Sequence, residues 1–281
     1  MDQRLIDIRE QQKASWSKFS QGWKKWDDLT MDFLQPVGDE IIRRLHPQGD
    51  DYVLDIAAGT GEPGLTIASM LHGGKVMITD LSENMLDIAR EHAEHRGITN
   101  IETRACDVCE LPFDDNTFDA VSCRFGFMFF PDMLMAAKEM VRVLKPGGKL
   151  ATAVWYGPEK NFWITATMQA IQRNIELPAP PPGAPGMFRC AKDGFMVDLF
   201  SQAGLKHVAQ TEVAGKLDAK TADRYWEMMN EISAPVVGAM SKADEGTKEK
   251  IKQDVFESLH RKYPDGNVQI DSSALVIYGE K

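Results

Sequence analysis

The sequence has no long apolar run. None of its segments reaches the roughly 18 consecutive apolar residues that a membrane-spanning helix needs. The N-terminal segment MDQRLIDIREQQK is charged and contains no apolar core of the kind that a secretory signal peptide requires. We therefore expect neither a membrane span nor a signal peptide, and we expect a cytoplasmic protein.

Basic residues are fewer than acidic ones. The chain has 32 lysines and arginines against 42 aspartates and glutamates, which gives a net charge of −10. The densest basic clusters, at 22–26 and 248–253, are short and typical of solvated helix faces. Because a nucleic-acid-binding surface needs a basic patch or stripe, we predict no nucleic-acid partner.

Cysteine is also scarce, with four in 281 residues. Cys106 and Cys109 have the C-x-x-C spacing, but neither a second pair nor histidines at zinc-ligand spacing follow them. The pair also lacks the sequence context of a thioredoxin-like redox motif. We predict a reduced protein without a metal site.

What the chain does contain is an alternation of apolar strands and amphipathic helices over 52–155. This alternation predicts an α/β fold with a doubly wound, mostly parallel sheet. The expected strands occupy 52–58, 75–81, 101–108, 118–130 and 149–155. Helices are expected between them, at 62–71, 82–97 and 133–148, the last closed by a Pro-Gly-Gly turn.

The flanking segments have a different character and predict a cap. We expect a helical cap segment at 1–46, an α/β core at 47–156, and a proline-rich loop with helices at 157–200. The last strands of the core should fall in 201–281, interrupted by a helical insertion at about 220–262.

The segment DIAAGTGEPG, residues 55–64, carries the G-x-G-x-x-G spacing of dinucleotide sites. In such a site the loop receives a doubly charged pyrophosphate. Asp55 stands where the preceding strand ends, and a carboxylate there would repel that group. It suits an ammonium, so the loop fits an amino-acid moiety such as the methionine end of S-adenosylmethionine.

Two further acids stand at the ends of the next two strands. Asp80 follows Gly61 by 19 residues, where a carboxylate accepts hydrogen bonds from ribose hydroxyls. Asp107 ends the third strand, where a carboxylate accepts from an adenine amino group. The three acids together predict a path for methionine, ribose and adenine across adjacent strand ends.

Four segments carry a family resemblance. YVLDIAAGTGEPGLTIAS, VMITDLSENMLDIAREHA, ACDVCELPFDDNTFDAVSCRFGFMFFPD and EMVRVLKPGGKLATAVW resemble successive motifs of class I S-adenosylmethionine-dependent methyltransferases. The nearest branch is the ubiquinone/menaquinone-biosynthesis C-methyltransferase type, which is methyltransferase type 11-like. The resemblance covers about 52–156 and implies a seven-stranded sheet whose last strand, at the C-terminal end of the chain, is antiparallel.

The resemblance also implies a set of cofactor contacts. They are Asp55, Ala57, Gly59, Thr60, Gly61, Asp80, Leu81, Met85, Cys106, Asp107, Val108, Arg124 and Phe125. Quinone-pathway members have serine followed by Phe-Gly-x-Arg-Asn where this chain reads RFGFMFF. Met128 and Phe129 replace that Arg-Asn pair, which argues against a quinone precursor as substrate and makes the pocket more apolar.

Methyl transfer from a sulfonium depends mainly on alignment, so we assign no catalytic triad. Tyr156 and Glu159 follow the fifth strand and are our candidates for a base. Trp16 and Trp23, seven positions apart on one helical face, are candidates to cover the cofactor. The predicted substrate pocket comprises Met128, Phe129, Phe130, Trp155, Tyr156 and Trp226.

These observations predict an S-adenosylmethionine-dependent methyltransferase acting on a small, partly apolar molecule. Transfer to oxygen, carbon, nitrogen or sulfur stays open, as does the choice between a monomer and a homodimer. One alternative is a non-catalytic ligand-binding or partner subunit that keeps the fold. The other is an NAD(P)-dependent oxidoreductase, against which Asp55 argues.

Overall fold

The computed structural model describes residues 3–178, 181 and 183–281. Within these residues the chain forms a seven-stranded sheet in the order β3-β2-β1-β4-β5-β7-β6. The strands are β1 (Tyr52–Ile56), β2 (Lys75–Asp80), β3 (Ile101–Ala105), β4 (Phe118–Arg124), β5 (Leu144–Trp155), β6 (Lys206–Lys220) and β7 (Val268–Glu280).

The first five strands pair in parallel, and β7 runs antiparallel between β5 and β6. The predicted mostly parallel sheet is thus confirmed, as is the antiparallel last strand. The central strands are buried continuously, as in β1, where Val53, Leu54 and Ile56 have almost no exposed surface. Strands that are covered on both faces have unbroken apolar runs, and these strands could therefore be predicted from the sequence.

The described helices fall into three groups. Two precede the sheet: α1 (Gln3–Lys25) and α2 (Asp27–Leu45). Three connect the parallel strands: α3 (Gly64–Met70), α4 (Glu83–His95) and α5 (Met133–Val143). The others follow β5: α6 (Phe162–Asn174), α7 (Phe195–Gln202), α8 (Ala222–Ile232), α9 (Ala234–Met240) and α10 (Glu245–Lys262). None of the described helices is long and apolar enough to cross a membrane.

The order of the strands determines where a ligand binds. The chain builds β1, β2 and β3 outward in one direction and then returns to place β4 on the other side of β1. In open α/β sheets such a reversal leaves a crevice at the carboxyl ends of the two strands. Helix α2 packs against β4, β5 and β6, while α1 contacts α4 and α8. The first two helices therefore cover the crevice from above.

Two strand boundaries differ from the sequence-based prediction. β4 ends at Arg124 instead of 130, because Phe125 adopts a left-handed backbone with φ of 63° and the chain turns away. β5 begins at Leu144 and includes the Pro-Gly-Gly segment, which we expected to be a turn. The pairing with β4 shifts register across that segment, and Gly147 has φ of 76°, so the segment bulges out of the strand.

Candidate active site

A cavity of about 1110 Å³ lies over the carboxyl ends of the parallel strands. The loops after all five of these strands contribute to its wall, and α1, α2 and α6 cover it. Ligand pockets usually measure about 300–1,000 Å³, so this one has room for two small molecules side by side. Most of the predicted site residues line it: Ala57, Gly59, Thr60, Asp80, Leu81, Met85, Cys106, Asp107, Val108, Arg124, Phe125, Met128, Phe129, Phe130, Trp155, Trp16 and Trp23.

The glycine loop forms one wall of the cavity. Three of its residues have positive φ: Ala57 at 52°, Gly59 at 57° and Gly61 at 114°. The N–H of Gly59 donates to Asp80 Oδ2 over 3.0 Å, which ties the loop to the end of β2. Gly61 itself is not on the wall, contrary to our prediction. A Cβ there would lie 2.7 Å from Leu65 Cδ1, so its role is close packing of the loop against α3.

Asp55 also lies off the cavity wall, although we predicted that it would face an ammonium group. Its carboxylate is fully buried, accepting from Ser122 Oγ at 2.6 Å and from the N–H of Gly64 at 2.8 Å. Burial raises the pKa of Asp55 to about 7, although both hydrogen bonds oppose the shift. Asp55 therefore joins β1, β4 and the start of α3 beneath the glycine loop.

Asp80 lies on the wall at the end of β2, as predicted. Its Oδ1 accepts from the N–H of Ser82 at 2.9 Å, and its Oδ2 accepts from Gly59. Burial raises the pKa of this carboxyl group, while these backbone donors favour the charged form. A carboxylate has about four lone-pair sites, so Asp80 keeps acceptor capacity toward the cavity.

Asp107 follows β3 and begins the short helical turn Val108–Glu110. Its Oδ1 accepts from the N–H of Cys109 at 2.9 Å. Its Oδ2 is buried and has no hydrogen-bond partner among the described residues, and Arg9 Nη1 of α1 lies 3.6 Å from it. A buried carboxylate oxygen without a donor is costly, so this atom is suited to a ligand N–H. Beside it, burial raises the pKa of the Cys106 thiol to about 11.

Arg124, the last residue of β4, lines the cavity without a carboxylate partner within 4 Å among the described residues. Its nearest polar contacts are long: Nη1 lies 3.5 Å from the carbonyl oxygen of Leu34, and Nη2 lies 3.8 Å from Met31 Sδ. Burial lowers the pKa of this guanidinium. The side chain thus presents a positive charge between α2 and the glycine loop.

Aromatic rings occupy two regions of the wall. In the first, Trp16 of α1 contacts Trp23 and Phe129, with ring centroids 6.2 and 5.3 Å apart. The second is an aromatic cluster of Phe33, Phe125, Trp155 and Trp163 beyond the ends of β4 and β5. Met128, Phe129 and Phe130 reach the cavity from the turn after β4 and not from the strand itself, which corrects our expectation.

Three further predicted residues, besides Asp55 and Gly61, are not on the cavity wall. Tyr156 follows Trp155, the last residue of β5, and of these two neighbours only Trp155 lines the cavity. Glu159 is exposed in the turn Pro158–Lys160. Trp226 lies outside the wall on α8, a helix whose buried face includes Met228 and Ile232. Neither candidate base therefore faces the cavity.

The sequence-based reasoning missed the residues that the cap helices contribute. They include Met31, Phe33, Leu34, Trp163, Ile164, Met168, Met228 and Ile232. Their only signal is an apolar stripe at helical spacing, and such a stripe equally predicts core packing. Which stripe faces a cavity depends on how the helices dock.

The comparisons with known proteins agree with this geometry. A family model described as "Methyltransferase domain" matches residues 53–148. The matched residues contain the glycine loop and all three acids.

Among individual proteins, the chain is similar to demethylmenaquinone methyltransferase of Bacillus cereus (strain B4264). The two are 38% identical over 112 residues, which is 40% of this chain and 47% of that protein. The chain thus spans about half the length of the curated relatives it matches.

Two solved structures share the fold over a longer range. One is the complex between the Haloferax volcanii Trm112 methyltransferase activator and a methyltransferase, with TM-score 0.60, 20% identity, and 95% and 96% of the two chains covered. The other is Haemonchus contortus phosphoethanolamine N-methyltransferase 2 in complex with S-adenosyl-L-methionine, with TM-score 0.52, 20% identity, and 87% of this chain and 52% of that chain covered. At these identities the likeness concerns the fold alone.

Proposed function

We propose that this protein is an S-adenosylmethionine-dependent methyltransferase that acts on a small, partly apolar molecule. The observation that carries the proposal is a single cavity with two chemically different halves. One half contains the glycine loop, Asp80 and Asp107; the other is walled by the aromatic cluster and by methionines. Transfer of a methyl group from a polar donor to an apolar acceptor requires a cavity of this kind, with a polar half of nucleoside size next to an apolar half.

The residues of the first half fit S-adenosylmethionine. Asp107 Oδ2, buried without a hydrogen-bond partner among the described residues, suits the adenine amino group. Asp80 has remaining lone pairs for the ribose hydroxyls. Arg124 and the backbone amides of the glycine loop suit the carboxylate of the methionine moiety. The donor supplies an electrophilic methyl group on a sulfonium.

The role of this chain in the reaction is to position the two reactants. In-line displacement needs the nucleophile and the methyl carbon aligned at about 3–3.5 Å, and alignment alone supplies much of the rate enhancement. Trp16 and Phe129 close over the middle of the cavity, and α2 covers it beside β4. These groups orient the two reactants and exclude water.

Two alternatives have less support. A nicotinamide oxidoreductase has less support because the residues that contain the glycine loop match a methyltransferase domain. A partner subunit that binds no ligand has no need for a buried carboxylate oxygen such as Asp107 Oδ2, which lacks a hydrogen-bond partner among the described residues. These two observations favour a working donor site over both alternatives.

The test is a pair of calorimetric titrations on the purified protein, with S-adenosylhomocysteine and with NADH. We expect micromolar binding of the first and none of the second. Binding of NADH alone would overturn the proposed function and leave the fold standing. Binding of neither would favour the non-catalytic alternative.

A further inference from the structure

The aromatic cluster lies on the cavity wall beyond the ends of β4 and β5. Phe125 follows β4 and Trp155 ends β5, so both lie beyond the strands whose ends carry the three acids. Their rings stack with centroids 4.1 Å apart. Phe33 of α2 and Trp163 of α6 complete the cluster, and their centroids lie 5.7 and 5.0 Å from that of Trp155.

The cluster is held in place before any ligand binds. Phe33, Trp155 and Trp163 are 5%, 5% and 7% exposed, so their orientations are determined by packing. The indole N–H of Trp163 donates to Asn161 Oδ1 over 3.2 Å, which sets the rotation of that ring. Aromatic faces attract cations, and groups of such rings bind quaternary ammonium ligands.

The charges on the wall agree with an acceptor that is neutral when it attacks and gains a positive charge in the reaction. Arg9 and Arg124 are the cations among the described residues that line the cavity. Arg9 lies against Asp107, and Arg124 Nη1 lies beside Gly38 and 3.5 Å from the carbonyl oxygen of Leu34, both on α2. The acceptor half has Glu176 at its exposed mouth and no described cation.

Apart from Glu176 at its exposed mouth, the acceptor half has no base among its described residues for an acceptor that must lose a proton first. Its described residues include no histidine, lysine or tyrosine. Cys106 lies next to Asp107 at the adenine end, and Glu62 is paired with Arg96. A neutral amine needs no such base, because its lone pair is available for attack. Hydroxyl and carbon acceptors generally need one.

Taken together, and resting on the proposed function, these features lead us to propose that the acceptor is an apolar amine. The nitrogen lone pair forms the new N–C bond, the C–S bond breaks, and its electron pair stays on sulfur as a thioether. The positive charge moves from sulfur to nitrogen within reach of the aromatic cluster. A primary or secondary amine then loses its proton to water, and a tertiary amine stays quaternary.

The experiment compares two probes on the protein saturated with S-adenosylhomocysteine. One is (4-phenylbutyl)trimethylammonium, and the other is its neutral isostere in which carbon replaces nitrogen. We expect the cation to bind about 3- to 30-fold more tightly, the range that aromatic–cation attraction supplies. Phe125→Leu should bring the ratio close to one, whereas Trp226→Leu, which removes an aromatic residue outside the cavity, should preserve it.

Each result has one meaning. Equal binding of the two probes to the wild-type protein, or tighter binding of the isostere, overturns the amine proposal while the donor site stands. A ratio that Phe125→Leu and Trp226→Leu reduce equally also overturns it, because the preference then does not come from the cluster. Failure of S-adenosylhomocysteine to bind in the first titration overturns the proposed function itself. The wild-type ratio decides the question even where a variant fails to fold.

Discussion

The replacement Asp80→Ala separates the proposed donor site from a purely structural role of this carboxylate. Asp80 holds the N–H groups of Gly59 and Ser82 and faces the cavity at the end of β2. Replacement by alanine removes both the acceptor for these two backbone N–H groups and the carboxylate that faces the cavity. It should lower the stability of the glycine loop, and it should also remove the acceptor of the ribose hydroxyls.

The magnitude follows from the bonds that are lost. A hydrogen bond to a charged group contributes about 1.5–3 kcal/mol when it is buried. Two ribose hydroxyls would lose such bonds, and water can replace part of the interaction, so we expect a loss of about 3 kcal/mol. That corresponds to roughly 150-fold weaker binding of S-adenosylhomocysteine.

The assay is calorimetric titration with S-adenosylhomocysteine, after circular dichroism has shown that the variant is folded. Asp119→Ala is a matched control. Its carboxylate also accepts from a backbone N–H, that of Tyr52 at 2.9 Å, but it lies near the start of β4 and not on the cavity wall. A folded Asp80→Ala protein with wild-type affinity would refute our placement of the ribose.

Three further outcomes are expected. Asp107→Asn should weaken S-adenosylhomocysteine about tenfold and reduce its preference over S-inosylhomocysteine, because Oδ2 accepts from the adenine amino group; an unchanged preference in calorimetry would contradict this. Burial raises the pKa of Asp55 from 3.8 to about 7. Between pH 3.8 and pH 7, Asp55 is therefore protonated in the folded protein and ionised in the unfolded chain. Stability should therefore fall by about 2 kcal/mol between pH 5 and pH 8, and less in Asp55→Asn, as measured by urea unfolding; equal falls would show that other groups are responsible. Gly64→Ala should lower the melting temperature by several degrees, because the added Cβ would lie 2.8 Å from Asp55 Oδ2, and a neutral result would mean that the helix start shifts freely.

The parallel core could be predicted from the sequence because its signals are local. Continuous burial of β1 and β2 leaves unbroken apolar runs, and the acids at 55, 80 and 107 mark the strand ends. The glycines of the loop could also be recognised, because Gly59 and Gly61 have the positive φ that favours glycine. Asp80 and Asp107 follow β2 and β3, and these predicted strand ends place them on the cavity wall.

The sequence does not show which side of each helix or strand faces the cavity. Asp55 precedes the glycine loop as the motif requires, yet its carboxylate points to Ser122 and Gly64. Tyr156 is next to Trp155 in the chain but not on the wall. These directions depend on strand pairing and on the pleat, which bring together residues distant in sequence.

The sequence by itself predicted the α/β class, the antiparallel last strand implied by the resemblance, and the acids Asp80 and Asp107 that lie on the cavity wall. Only the tertiary structure brought the aromatic cluster together. Phe125 and Trp155 were predicted to lie at the site, but Phe33 of α2 and Trp163 of α6 have in the sequence the pattern of ordinary core residues. The physical reason is that apolar periodicity reports burial without saying against what, so a cavity lined by aromatic rings and a packed core have the same pattern until the helices dock.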